Sequence, residues 1–308
     1  MGDFSFGAAL NSGFRLIARN PLALLWWSAV FLVVVGLPVM LFVVYVLPSL
    51  IAAIQETVRN AGPPDPFRMM ELQSRMLGWQ PGIWLLQIVT QTLLMGAVFR
   101  GVLEPENSRW GYLRLSRQEL WLGLTYLVIS VMALIMAFLL FLPLGVGIGM
   151  AAAAAEHGGG ASPVAMVVIC VSLLAGMGVM LWVLLRLSLA LPMSFAQARF
   201  MIYESWDLTR GQAWRMFLVY LVLAFGLLVF ELIIVGTLGV SLASRVRHTA
   251  PLTAFLQDAR ADMLQPWIPT ILGFLVAVSV IGTAIRAIFI APLAEIYREL
   301  TATTEPKA

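Results

Sequence analysis

Six stretches, at 22–47, 83–102, 120–150, 164–187, 217–242 and 267–290, are dominated by apolar side chains. Each runs to about 20 residues or more, the length a helix needs to cross the hydrocarbon core of a bilayer. Water is absent there, so backbone N–H and C=O groups must pair within their own segment, and each stretch is expected to be an α-helix. Composition points the same way. Hydrophobic residues make up 61% of the chain and charged residues 11%, whereas a soluble domain has ~45–50% and ~25%. The expected fold class is all-α, a polytopic membrane protein with six transmembrane helices. Pro38 and Pro143 fall inside the first and third runs and are expected to kink them.

Basic residues orient the crossings. Of the 19 Lys and Arg, 13 fall in the amino-terminal segment, the second and fourth loops with their flanks, and the carboxyl-terminal end; the other six fall in the first and fifth loops. Positive charge stays on the cytoplasmic side, so both termini are expected in the cytoplasm. Asp3 stands where a secretory signal would be basic, and the first apolar run exceeds an h-region, which argues against a cleaved leader.

Punctuation recurs three times along the chain. Asn20-Pro21 reads as an N-cap followed by proline at the first helical position. Ser116 to Glu119 and Thr209 to Gln212 have the spacing of capping boxes. Pro81, Pro163 and Pro266 open the even-numbered crossings, and Arg100, Arg186 and Arg286 close them 19, 23 and 20 residues later. Pro105, Pro192 and Pro292 follow five or six residues further on. Four markers at matching intervals are expected to mean three copies of a helical hairpin, at about 4–105, 106–195 and 196–298, with a short cytoplasmic tail at 299–308. The chain is then a single integral membrane domain.

An interfacial segment precedes each hairpin. At the amino terminus Phe6, Leu10, Phe14 and Ile17 share one helical face and Asn11, Arg15 and Arg19 another. The stretch 194–217 gives a rougher version, with Phe195, Ala198, Ile202 and Trp206 against Gln197, Glu204 and Asp207. Both suit amphipathic helices in the headgroup layer. Short amphipathic helices are also expected at 67–77 and 252–264, and AAAAAEHGGGASP between the third and fourth crossings reads as a flexible tie.

The stretches GFRLIARNPLALL, FRGVLEPENSRWGYLRLSRQEL, ESWDLTRGQAWRMF and FIAPLAEIYREL resemble a group of uncharacterised bacterial inner-membrane proteins. Related patterns occur in the membrane domain of some glycerophosphoryl diester phosphodiesterases and in YciC-like proteins. The resemblance spans nearly the whole chain and implies a fold and an address in the bacterial inner membrane. It does not bring the phosphodiesterase activity, because the chain has no Glu, Asp and His cluster to hold that enzyme's metal.

Catalytic chemistry needs convergent acid–base, nucleophilic or metal-binding groups. His157 and His248 both fall in expected loops, and Cys170 is the lone cysteine. His157 beside Glu156 reads as a solvated loop pair rather than a metal half-site. HExxH, GxSxG and GxxxxGK[ST] are absent, and Gly145, Gly147 and Gly149 do not have GxGxxG spacing. No cofactor or metal is expected. Nucleic acid is not an expected partner either, since the net charge is +3 and no basic tract carries interleaved aromatics.

Two groups of residues stand out. Glu231 lies near the middle of the fifth crossing, and Gln87, Gln91 and Thr92 lie at compatible depth on the second. Such a polar cluster is either a hydrogen-bonded helix clamp or a substrate or proton site. Arg15, Arg19, Arg100, Arg186 and Arg286 are candidate contacts for anionic lipid headgroups, with snorkelling at helix ends as the other reading. The expected function is a non-enzymatic, lipid-interacting or scaffold module of the cell envelope, with membrane lipids as partners and a membrane protein as a further candidate. The alternative is a transporter or flippase of an amphipathic or anionic molecule, working through Glu231.

Overall fold

In a computed structural model, residues 4–36, 38, 40, 41, 66–106, 109–156, 163–246 and 268–302 are described. All regular structure among them is helical. The helices are α1 (Phe6–Arg19), α2 (Pro21–Phe31, running into a π-type turn at Leu32–Gly36), α3 (Pro66–Leu103), α4 (Arg117–Glu156), α5 (Pro163–Leu187), α6 (Ala190–Gln197), α7 (Ile202–Leu208), α8 (Ala213–Val246) and α9 (Ile268–Ala302), with a short 3₁₀ turn at Arg109–Tyr112.

Five segments are long and apolar enough to cross a membrane: Gln80–Leu103, Arg117–Gly149, Ile169–Gln197, Ala213–Ile233 and Leu275–Ala302. A sixth is added if the bent pair Phe6–Arg19 and Pro21–Gly36, at 89° to each other, counts as one span. The chain therefore has the make-up of a multi-pass membrane protein.

Several boundaries differ from the sequence reading. Pro81 does not open a helix but lies inside the 38-residue α3, which also takes in the amphipathic segment expected at 67–77. The helix continues through Gly78, Pro81 and Gly82 although these are the poorest helix formers; local propensity is overridden there. Pro163 does open α5. α4 continues through position 143 to Glu156, and α9 continues through Pro292 to Ala302. Pro266, His157, His248 and the segment 252–264 lie outside the described residues.

Contacts gather into two units, one of Met1–Leu10, Arg114–Val219 and Pro292–Ala308, the other of Asn11–Leu113 and Tyr220–Ala291. In the first, α4 packs on α5 and α6, and α7 packs on both α5 and α6. A Cβ on Gly147 would lie 2.6 Å from Ile169 Cδ1, whereas Gly145 and Gly149 face open space. One glycine of that trio thus lies against a side chain of the neighbouring helix. The hydroxyl of Thr125 on α4 donates to Ser194 on α6 at 2.9 Å.

The two expected capping boxes have different fates. Ser116 N–H donates to Glu119 Oε2 at 2.9 Å, and Gln118 N–H donates to Ser116 Oγ at 3.3 Å. The start of α4 is capped as the spacing predicts. Thr209 instead ends α7: its N–H donates to Ser205 O at 3.0 Å, and its hydroxyl donates to Ser205 O at 2.8 Å and Arg186 O at 3.3 Å. Surrounded by carbonyl acceptors, a hydroxyl serves as donor rather than as an N-cap acceptor.

The single amphipathic helix expected across 194–217 is also broken. Ala198 adopts the left-handed conformation at φ 48° and ends α6. Ser194 Oγ accepts the Met201 N–H at 3.2 Å across the break. Phe195, expected on the lipid-facing stripe, is fully buried. Periodicity read straight through position 198 counts residues of two helices as one.

In the second unit α2 and the π-type turn pack near α3 and the 3₁₀ turn. Ser279 on α9 donates to Ser28 O at 2.7 Å. That bond shares a carbonyl of α2, a common way for small hydroxyl residues to join apolar helices.

Candidate functional site

α1 carries three faces where the sequence suggested two. Ala9, Ser12 and Leu16 are buried along one side, together with Gly13. Phe6 and Phe14 are exposed on a second side, Phe14 by 52%. Asn11, Arg15 and Arg19 are exposed on a third. At 100° per residue, the apolar and polar faces flank the packed one on opposite sides. The small residues carried no signal in a hydrophobic count, which is why the packed face was missed.

The chain leaves α1 through an elbow. Asn20 has non-helical dihedrals (φ −134°, ψ 61°) and Pro21 follows at the first helical position of α2. Proline has no N–H to continue the α1 ladder, and the residue before it is pushed out of the helical region. The expected boundary is therefore observed, although the Asn20 side chain makes no capping bond to α2. Its Nδ2 donates back to Leu16 O at 3.5 Å.

A turn with Tyr112 buried abuts this elbow. Gly111 and Tyr112 both have positive φ, 61° and 67°, a conformation costly for a tyrosine. Three bonds hold it. Arg100 Nη1 donates to Tyr112 O at 2.6 Å, Trp27 Nε1 donates to Gly111 O at 2.6 Å, and the Tyr112 hydroxyl donates to Pro105 O at 3.3 Å. A Cβ on Gly111 would meet Trp26 Cδ1 at 3.2 Å. Between elbow and turn lies a cleft of about 340 Å³ bordered by Arg19, Asn20, Leu22, Trp26, Gly111 and Tyr112. The sequence reading did not find it, although a glycine before an aromatic after a polar run is a turn signal.

The five candidate arginines separate. Arg19 borders the cleft, is exposed, and makes no hydrogen bond or ion pair among the described residues. Arg15 is exposed one turn earlier. Arg100 is 2% exposed and also lies 4.0 Å from Glu104, so it holds the turn and presents no face to a headgroup. Arg186 stacks on Trp182 and Trp206, with its guanidinium 5.4 and 5.3 Å from the ring centroids, and its Nη1 donates to Trp206 O at 3.1 Å. Arg286 lies over the Phe31 ring at 4.1 Å. Those three helix-end arginines are tied to the protein's own aromatics and carbonyls.

The polar cluster expected around Glu231 is not assembled. Glu231 and Gln87 are exposed, Gln91 is half-buried, and Thr92 is buried with no partner for its hydroxyl among the described residues. No hydrogen bond or ion pair among the described residues links Glu231 to any of them. Glu231→Gln removes the charge and keeps the shape. It is expected to shift the unfolding free energy by no more than ~0.5 kcal/mol, measured by thermal melting in detergent. A loss several times larger would show Glu231 to be part of a helix clamp.

Among the described residues no three His, Cys, Asp or Glu side chains gather as a metal would require. Compared with protein-family models, curated proteins and solved structures, the chain matches none of them.

Proposed function

We propose that this chain is a non-enzymatic, lipid-interacting module of a bacterial inner membrane. In this reading it crosses the bilayer six times as three related hairpins, keeps both termini in the cytoplasm and serves as scaffold or assembly element of the envelope. A relation to the membrane domains of the phosphodiesterase group belongs to the same proposal.

The observation that carries it is the geometry of α1. One face is packed, an exposed face bears Phe6 and Phe14, the remaining face bears Arg15 and Arg19, and the next apolar helix leaves at 89°. A helix of that make-up beside a membrane span sinks its aromatics toward the acyl chains and leaves its arginines among phosphates. The even crossing number is supported by one bond, from Ser5 N–H to Glu299 Oε2 at 2.5 Å. It holds the two ends of the described chain together, as an even number of crossings would. In this reading the apolar helix α2 opens the sixth crossing beside the five long spans.

Spin labels test the placement of α1. With Cys170 replaced by serine, a label at Phe14→Cys is expected to be relaxed more by oxygen than by a water-soluble nickel chelate. A label at Arg15→Cys is expected to show the reverse. Equal access of the nickel chelate to both would place α1 in water and remove the basis of the proposal.

A further inference from the structure

We propose that the elbow cleft between α1, α2 and the 109–112 turn holds the phosphodiester of an anionic phospholipid, with Arg19 as its counter-charge. The inference rests on α1 lying in the headgroup layer and names the site at which that layer is recognised.

The cleft has the chemistry for such a group. Arg19 is the cation at its rim, is exposed, and has no partner among the described residues. A guanidinium offers paired donors that match two phosphate oxygens. Among the described residues no carboxylate borders the cleft, so none of them competes for the guanidinium or repels the phosphate. Asn20 adds a side-chain amide whose contacts, to Leu16 O and the Tyr112 hydroxyl, are both 3.5 Å long and so at the weak limit of hydrogen bonding.

The surroundings choose a lipid over a soluble phosphate. Leu22 is 80% exposed and Trp26 47% exposed on the same border. A soluble anion has no use for that apolar rim, whereas a phospholipid brings glycerol and acyl carbons just below its phosphate. Indole rings favour this depth of the bilayer. The cleft wall is also fixed in advance. Arg100, Trp27 and the Tyr112 hydroxyl hold the left-handed turn in place, and a Cβ at Gly111 would sit 3.2 Å from Trp26 Cδ1, closer than an ordinary contact. A preformed wall lowers the ordering cost of binding.

Native mass spectrometry of the full chain, released from mixed micelles of phosphatidylglycerol and phosphatidylcholine, tests the proposal. The wild type is expected to retain phosphatidylglycerol preferentially. Arg19→Ala, at an exposed position, is expected to fold normally and to lose about tenfold in retention, as loss of one charge-assisted contact predicts. Arg15→Ala, one turn away and outside the cleft, is expected to lose much less retention than Arg19→Ala does. Equal retention by Arg19→Ala, or an equal loss in Arg15→Ala, overturns the site in favour of none or of a diffuse charge effect. Displacement of the lipid by modest inorganic phosphate would make a soluble anion the ligand and also overturn it. The spin-label result separates the two levels: with α1 in the headgroup layer and Arg19→Ala still retaining lipid, the cleft alone falls.

Discussion

Arg100→Ala is expected to lower the unfolding free energy by about 3 kcal/mol, because it leaves the buried Tyr112 carbonyl without its donor and empties the volume of a long side chain. Arg100 is among the largest fully buried side chains, at 2% exposure. The 2.6 Å bond from its Nη1 to Tyr112 O secures a tyrosine at φ 67°. Without that bond the strained conformation loses one of its three restraints. Arg100→Lys keeps the charge but places a single ammonium where a planar fork was seated, so an intermediate loss is expected. Melting in detergent reads the stability, and hydrogen exchange by mass spectrometry reads the place. Faster exchange confined to residues 104–114 is the expected signature. A stability loss with unchanged exchange there would mean that Arg100 matters as filling rather than as the holder of the turn.

The apolar runs made the helices legible, since runs this long in so hydrophobic a chain have few other ways to satisfy their backbone. The Asn20-Pro21 elbow and the Ser116 to Glu119 cap were legible for a local reason: each depends on neighbours in sequence alone. What failed was whatever depended on partners distant in sequence. Thr209 became a helix terminator because the Arg186 carbonyl lies against it. Phe195 became core because its helix stops at Ala198. Arg186 lies over Trp206 and Arg286 over Phe31, rings that no spacing along one helix could reveal. The cleft was hidden for the same reason, its two sides being separated by some 90 residues of chain between Arg19 and Gly111.

Gly13→Ala is expected to cost about 1–3 kcal/mol, the usual price of forcing atoms into a filled core, even though alanine is the better helix former by ~1 kcal/mol. A Cβ at Gly13 would sit 2.5 Å from Ile288 Cα, 3.1 Å from Ile288 O and 3.2 Å from Ala287 O. All three are backbone atoms of α9, so no rotamer change makes room and one helix must move. Small residues at such crossings let apolar helices approach closely. Gly101 is the milder neighbour, since a Cβ there meets only the tip of Leu16, at 2.8 Å, which can swing aside. Gly7 supplies the opposite sign. It is exposed with nothing within 4 Å of an added Cβ, so Gly7→Ala is expected to be neutral or to stabilise by up to ~1 kcal/mol. Melting both variants in the same detergent isolates the contact from the propensity. Equal stability of Gly13→Ala and wild type would show that α1 slides freely on α9. A real loss fixes the roll of α1 about its axis, and that roll is what turns Phe14 to one side and Arg15 and Arg19 to the other.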